Sequence, residues 1–173
     1  MATLIDPTYF DTQYCNIPDG GDFDNRQAVI DNHQDDILEE ILGYGLAKLV
    51  IAYDSGTSEQ RIKDLVEGKE FISQDTNLKK WIGFINSKKE SIIAYHCFDK
   101  WMRSENETTT NNGVVKVMNE NSIPASATNK LVTAQNRMVD LINVMCDFLT
   151  VNITDYPEWV EPEYVKPINF MGI

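Results

Sequence analysis

The two histidines are the first residues to test for chemistry, because imidazole titrates near neutral pH and can act as a base or a metal ligand. His33 stands among the carboxylates of Asp31, Asp35 and Asp36. On a helix these spacings point the groups to different faces, whereas a metal site or a nucleophile–histidine–acid arrangement needs them to converge. We therefore expect a solvated acidic helix start at His33 and a packing role for His96.

Other signatures of cofactor binding are incomplete in this sequence. The segment 19–22 (DGGD) lacks the lysine and the strand–helix context of a phosphate-binding loop. Asp22 and Asp24 begin like a calcium loop, but His33 occupies the twelfth position, where glutamate is required. We expect no catalytic residue, no cofactor and no metal, and hence no enzyme.

Composition indicates one acidic globular domain. The chain has 173 residues, a net charge of −12 and 42% hydrophobic residues, enough for one buried core. This charge argues against non-specific binding of nucleic-acid phosphates, although an acidic wall can keep DNA from adhering to a channel. Cys15, Cys97 and Cys146 form no CxxC pair and are typical of free thiols in a reducing compartment. With no signal-peptide pattern and no apolar run that could span a bilayer, we expect cytoplasmic synthesis and no membrane partner.

Helical periodicity dominates the segment that follows a mixed N-terminal arm. Residues 1–24 predict an extended arm or short strand and then a loop. Apolar residues recur every three to four positions from 27 to 53, which predicts one long helix with Asp24 as its N-cap. Gly43 and Gly45 inside this run indicate the close approach of another helix.

Two further helices are predicted before residue 105. Thr57 and Gln60 fit a capping box for a short helix that Gly68 ends. Residues 70–72 are interpreted as a connector, and 77–104 as a long helix. The polar face of that helix would carry a basic stripe, for contact with solvent, an acidic neighbour or DNA phosphate: Lys79, Lys80, Lys88 and Lys89.

The last third of the chain combines a hairpin, a helix and an irregular tail. Asn112 and Gly113 stand beside β-branched residues and predict a hairpin at about 108–121. Residues 127–149 carry the cleanest apolar stripe, and the tail that follows is rich in proline and aromatic residues. The predicted fold is mainly α: a bundle of three to four helices with one β-hairpin or extended loop insertion. We place one helical domain at 1–151 and an extended C-terminal arm at 152–173.

Eight segments, in their order along the chain, resemble a known family. They are 41–44 (ILGY), 65–71 (LVEGKEF), 81–84 (WIGF), 113–115 (GVV), 120–122 (ENS), 147–149 (DFL), 156–159 (YPEW) and 170–173 (FMGI). Together they resemble the head-to-tail connector proteins (adaptor or head-completion proteins) of tailed bacteriophages, particularly those of Bacteroidetes phages. The resemblance covers most of the chain and includes no catalytic motif.

The resemblance implies a structural virion protein made in the cytoplasm of a host bacterium. Such proteins form a ring, commonly of twelve copies, between the portal and the tail at the head–tail junction. They extend the DNA channel, bind the portal and further tail or connector ring proteins, and let DNA pass without sequence-specific binding. Their termini and loops make the joints, which here match the hairpin and the tail. The candidate interface residues are Gly113, Val115, Tyr156, Trp159, Tyr164, Phe170 and Ile173.

Aromatic residues on an irregular tail need a surface to bury against, on a neighbouring subunit or on their own domain. If a neighbour supplies it, truncation after Leu149 should leave a folded monomer that no longer assembles. If the tail packs back on its own helices, this expectation fails. A different functional hypothesis also fits the charge: a small acidic phage-encoded inhibitor or regulator that binds a host nucleic-acid enzyme. It predicts a monomer with its acidic groups collected on one face.

Overall fold

The computed structural model describes residues 3–17, 23–105, 107–110, 113–116 and 127–162. A 3-10 helix at Pro7–Phe10 is followed by α1 (Phe23–Leu42), α2 (Tyr44–Ile51) and α3 (Gln60–Glu67). Strands β1 (Lys69–Ile72) and β2 (Leu78–Trp81) precede α4 (Ile92–Glu105), and β3 (Glu107–Thr110) and β4 (Gly113–Lys116) precede α5 (Ala127–Val151). The mainly helical fold with a hairpin is confirmed, with five described helices and two antiparallel hairpins.

The core forms where α4 contacts both α1 and α5. The helix predicted at 127–149 is present as α5, and its apolar stripe includes Ala134, Met145 and Leu149, all buried. The hairpin predicted at 108–121 is present as β3 and β4. Gly113 pairs with Thr110 as the first residue of β4.

The N-terminal arm is not extended but folds onto the helices. Asp6 caps the 3-10 helix by accepting a hydrogen bond from the Thr8 amide at 2.8 Å. Buried Gln34 on α1 accepts from the Leu4 amide at 2.7 Å, and Arg26, 6% exposed, pairs with Asp11 at 2.9 Å. These polar anchors satisfy groups that the arm buries.

The long helix predicted at 27–53 is two helices. Gly43 interrupts it with a φ of +74°, a conformation that glycine adopts without steric cost. A Cβ there would lie 3.1 Å from the Val160 side chain, so the close neighbour is the C-terminal segment rather than another helix. The expected N-cap, Asp24, lies inside α1, and α2 ends at Ile51, two residues before the predicted end at residue 53.

Two predictions between residues 57 and 104 are also wrong. α3 follows Glu59, which makes no side-chain cap, so Thr57 and Gln60 do not form the capping box, although Gly68 does end the helix. The predicted helix at 77–104 is helical only from Ile92; its first part is β2 and a loop, and the expected connector at 70–72 belongs to β1. The β1–β2 pairing replaces helical hydrogen bonds there.

Candidate functional site

A close backbone crossing positions the β1–β2 hairpin. Gly68 ends α3 with a φ of +92°, and Gly83 follows β2 with a φ of +80°. A Cβ on Gly68 would lie 2.5 Å from the Trp81 carbonyl oxygen, and one on Gly83 would lie 2.5 Å from the Val66 carbonyl oxygen. Only glycine fits at either position, because both the φ and the space exclude a side chain. The Ile85 amide completes the crossing by donating to the Val66 carbonyl at 3.0 Å.

One face of this hairpin is fixed to the body of the protein. Trp81 is fully buried, and its indole nitrogen donates to the Leu65 carbonyl of α3 at 2.7 Å. Phe71 lies edge-to-face against Phe148 of α5, with ring centroids 5.5 Å apart. An isolated two-stranded hairpin is marginal in water, so these contacts stabilise it.

The opposite face of the hairpin is exposed and partly apolar. Ile72 and Leu78 are direct cross-strand partners, and they are 65% and 72% exposed. Glu70 and Lys80 form the next pair on the same face. We call these four residues the hairpin surface. A pair of large aliphatic side chains left in water contributes little to the stability of the monomer beyond its cross-strand contact.

A cavity of about 380 Å³ adjoins the hairpin surface. Lys80 belongs to both, and the cavity is also lined by half-buried Ile82 and Ile85 and by exposed Lys88 and Glu67. Period-two alternation places Leu78 and Lys80 on one face of β2, and Lys80 lines the cavity together with Ile82. Hairpin surface and cavity therefore form one continuous apolar and basic region.

Asn86 organises the loop that forms the far side of this cavity. Its side-chain oxygen accepts from the amides of Lys88 and Glu90 at 3.1 and 3.2 Å, and its side-chain nitrogen donates to the Glu90 carbonyl at 2.6 Å. The Tyr9 hydroxyl accepts from the Asn86 amide at 3.0 Å. The loop is thus tied to itself and to the N-terminal arm.

The basic stripe predicted on one helix face does not exist as such. Lys79 points to the inner side of the hairpin and pairs with Asp147 of α5 at 2.6 Å. That hydrogen bond raises the pKa of Lys79. Lys80, Lys88 and Lys89 form no ion pair with any residue that the structure describes. Two of these three lysines, Lys80 and Lys88, line the cavity.

The segment after α5 packs on the body of the same chain. Tyr156 is only 2% exposed, its ring lies 5.7 Å from that of Phe148, and its hydroxyl donates to the Arg61 carbonyl at 2.6 Å. Burial raises the pKa of Tyr156. Tyr156, which the sequence analysis assigned to the extended arm at 152–173, therefore belongs to the core of the monomer.

Two further contacts complete this docked segment, which we define as residues 152–160. Arg61 holds Glu158 with two hydrogen bonds of 2.7 and 3.0 Å, which lower the pKa of that carboxyl. The Trp159 indole donates to the Ile41 carbonyl at 3.4 Å, and the Val160 amide donates to the Leu42 carbonyl, also at 3.4 Å. The segment thus connects α3 to the end of α1.

A second exposed apolar region lies where the docked segment meets the break between α1 and α2. Tyr44 is 61% exposed and Val160 is 65% exposed; the Val160 side chain borders Gly43, which directly precedes Tyr44. The Lys48 ammonium lies 4.3 Å from the centre of the Tyr44 ring. We call Tyr44 and Val160, together with the exposed carboxylates near them in sequence at residues 39, 40 and 161, the junction surface.

The carboxylates of the junction surface are placed against the field of their own helix. Glu39 and Glu40 are exposed in the last turn of α1, where the structure places no basic residue. The C-terminal end of a helix carries partial negative charge, so anionic side chains are disfavoured there by a few tenths of a kcal/mol or more. An opposite charge brought by a partner would relieve this repulsion.

The two histidines come together without forming a catalytic arrangement. The rings of His33 and His96 are edge-to-face with centroids 6.3 Å apart. Burial, with the nearby charges of Lys100 and His33, lowers the pKa of His96 to about 4. Among the described residues, no group of three or more histidine, cysteine or acidic side chains could hold a metal ion.

The three cysteines are free thiols, as expected. Cys15 and Cys97 are buried, and Cys146 on α5 is half-buried. Burial raises the pKa of Cys97 to about 12 and that of Cys146 to about 11. These thiols therefore stay protonated and unreactive at neutral pH.

The remaining interface candidates are only partly described. Val115 lies in β4 opposite Thr108, next to Gly113 in the same hairpin, but their side-chain surroundings lie outside the described residues. Tyr164, Phe170 and Ile173 also lie outside them. Sequence reasoning missed the hairpin surface, because the β2 sequence LKKW does not alternate apolar and polar residues as a half-buried strand does.

Residues 38–169 match the model of DUF6712, a family of unknown function, and the chain belongs to that family. No curated protein and no solved structure matches the chain. Among the described residues, no helix is both long enough and apolar enough to cross a membrane.

Proposed function

We propose that this protein is a structural component of a tailed-bacteriophage virion, made in the host cytoplasm and incorporated at the head–tail junction. In this proposal copies of the chain form a ring between the portal and the tail. The ring extends the DNA channel and docks tail components. Its partners are the portal protein, further tail or connector ring proteins, and neighbouring copies of the chain.

One structural observation carries the proposal: the monomer has two unlike exposed surfaces. The hairpin surface combines an apolar pair with Glu70 and Lys80 and adjoins Lys88, whereas the junction surface combines an apolar pair with carboxylates. A symmetric dimer needs one self-complementary surface, but a head-to-tail contact needs two different surfaces on each subunit. Repetition of such a contact produces a ring when the rotation closes.

The net charge of −12 agrees with a channel component. DNA that has to pass through a ring must not adhere to its wall, and a predominantly acidic subunit disfavours phosphate binding. The buried thiols and the paired histidines offer no arrangement for catalysis within the described residues. A structural role therefore fits the chemistry better than an enzymatic one.

Quantitative mass spectrometry of purified virions from the phage that encodes this chain tests the proposal. We expect the protein in the particle at about the copy number of the portal subunit. Its absence from virions that contain normal amounts of portal would refute a structural role.

The acidic-inhibitor hypothesis keeps one specific observation in its favour. The exposed surface of α1 carries Asp31, Asp36, Glu39 and Glu40, a row of carboxylates that could occupy the nucleic-acid site of a host enzyme. This alternative predicts a monomer that is absent from virions and co-purifies with a host nucleic-acid enzyme. The same virion measurement therefore separates the two functions.

A further inference from the structure

We propose that the hairpin surface of one copy binds the junction surface of a second copy, and that this contact is the repeating joint of the assembly. The inference rests on the proposed function for the expectation that copies of the chain meet. It goes further by naming the two surfaces and their order.

Each of the two surfaces carries an exposed apolar pair that a partner could bury. Ile72 and Leu78 form an exposed aliphatic pair on a rigid hairpin, and Tyr44 and Val160 form an exposed pair on the junction surface. All four side chains are more than half exposed, so the monomer gains little from them. Burying each pair against the other would remove both from water, which is the main source of binding free energy at an interface core.

The charges bordering the two pairs are opposite in sign. Lys80 and Lys88 stand at the cavity beside the hairpin and have no ion-pair partner among the described residues. Glu39 and Glu40 stand beside the junction in the last turn of α1, where the helix field disfavours them. Two copies that meet hairpin to junction place cations against anions, whereas hairpin to hairpin or junction to junction would place like charges together.

Other charges also face these surfaces. Glu70 and Glu67 lie beside the lysines, and Lys48 lies over the Tyr44 ring. Glu67 is already engaged, because its carboxylate accepts a hydrogen bond from the Tyr53 hydroxyl. Asp75 in the turn of the hairpin and Glu90 in the Asn86 loop are further carboxylates at this end. The charge complementarity therefore depends on Lys80 and Lys88, which form no ion pair with a described residue.

The two surfaces share no residue and lie on different segments. The docked segment is attached through Arg61 in the first turn of α3, and β1 starts after Gly68 at the other end of that eight-residue helix, about 12 Å away. A repeating joint requires a subunit to bind one neighbour with its hairpin and another with its junction.

Complementary serine variants of the full chain test this order of contact. One variant carries Ile72→Ser and Leu78→Ser, the other carries Tyr44→Ser and Val160→Ser, and Ile153→Ser is the control, an exposed apolar residue outside both surfaces. Circular dichroism first establishes that all of them fold like the parent chain. Serine adds no charge, so any loss of association comes from the apolar contact.

Sedimentation velocity over a range of concentrations is the readout. We expect the parent and control chains to associate, and each double variant alone to sediment as a monomer, with association weakened at least about 100-fold. An equimolar mixture of the two variants should form a one-to-one dimer and nothing larger. In that mixture only one productive contact remains, between the intact hairpin of one variant and the intact junction of the other.

The inference is overturned if either double variant associates like the parent, or if the mixture stays monomeric. It is also overturned if the parent stays monomeric up to about 1 mM, the weakest association that such a contact could have and still be specific. A protein that is present in virions but fails these tests refutes the joint alone. A protein that associates by this joint but is absent from virions refutes the proposed function alone.

Discussion

Replacing Tyr156 by alanine should destabilise the monomer itself. The side chain is 2% exposed, contacts the Phe148 ring at a centroid distance of 5.7 Å, and donates a 2.6 Å hydrogen bond to the Arg61 carbonyl. Truncating a buried aromatic ring to alanine costs about 3–5 kcal/mol. For a domain of this size each kcal/mol lowers Tm by about 2–4 °C, so we expect a fall of about 12 °C.

A second variant measures the contribution of the Tyr156 hydroxyl to stability separately from that of the ring. Tyr156→Phe keeps the packing against Phe148 and loses only the hydrogen bond to Arg61, so it should cost about 1 kcal/mol, or about 3 °C in Tm. Ile153→Ala is the matched control, because Ile153 lies in the same segment but is 47% exposed. We expect it to change the free energy of unfolding by less than about 1 kcal/mol.

Thermal and urea unfolding followed by circular dichroism give the free energies of unfolding. A Tm of Tyr156→Ala within about 2 °C of the parent would refute the reasoning, since a buried aromatic residue cannot be removed without cost. The same reasoning changes the meaning of a truncation after Leu149. That truncation removes Tyr156, Glu158 and Trp159 together, so it should unfold the monomer rather than leave it folded and unable to assemble.

Three more substitutions test other parts of the structure. Gly83→Ala should cost at least about 3 kcal/mol in unfolding free energy, because φ is +80° and the added Cβ would lie 2.5 Å from a backbone oxygen. Gly45→Ala is the control: its added Cβ would lie no closer than 3.4 Å to another atom, so it should be close to neutral. Asn86→Ala removes the acceptor for two loop amides and should cost about 2 kcal/mol and speed hydrogen exchange at those amides; unchanged exchange would contradict the assigned role. His96→Gln should flatten the pH dependence of stability. In the parent chain the folded pKa of His96, about 4, is below the unfolded value of 6.5, so the unfolded chain binds the proton first as the pH falls. The stability of the parent is therefore full above pH 6.5 and falls toward pH 4. For this partly exposed ring we expect a loss of about 2 kcal/mol, and an identical pH profile in the variant would refute it.

The best-predicted element is α5, and the reason is its uniform environment. One face of this helix packs against α4 and β2 along its length, so the apolar period is uninterrupted. The observed bounds, Ala127–Val151, extend the predicted 127–149 by two residues. Where one face of a helix is buried without interruption, periodicity alone locates it.

The segment 77–104 shows how a strand can imitate a helix. Leu78, Trp81, Ile82 and Ile85 recur at the three-to-four spacing of a helical face, but in the structure Leu78 and Trp81 lie on opposite faces of β2. The crossing of Gly83 with Gly68 favours the strand over the helix. At Gly83 the chain passes against the end of α3 in a backbone conformation that no α-helix contains. Contacts between residues far apart in sequence are not visible in a local period.

The aromatic residues of the tail correctly predicted that this segment is buried, but they did not predict which surface buries it. Burial against a neighbour and burial against the same chain release the same kind of free energy. Chain connectivity favours burial against the same chain for Tyr156. Only residues 152–155 separate Tyr156 from α5, and so short a connection gives the side chain a high effective concentration at that surface. Intermolecular contact then has to use side chains that the folded monomer leaves in water.

The misread strand and the candidate functional site are the same part of the chain for a physical reason. As a helix, residues 77–85 would have placed Leu78 in the core, whereas as a hairpin they place Leu78 and Ile72 outside, at 72% and 65% exposure. An interaction surface must keep apolar groups in water until the partner arrives, so it departs from the rule that apolar residues are buried in their own domain. Pattern reasoning that assumes this rule assigns such residues to the core, and the error at residues 77–85 therefore falls on the surface for which we propose a binding role.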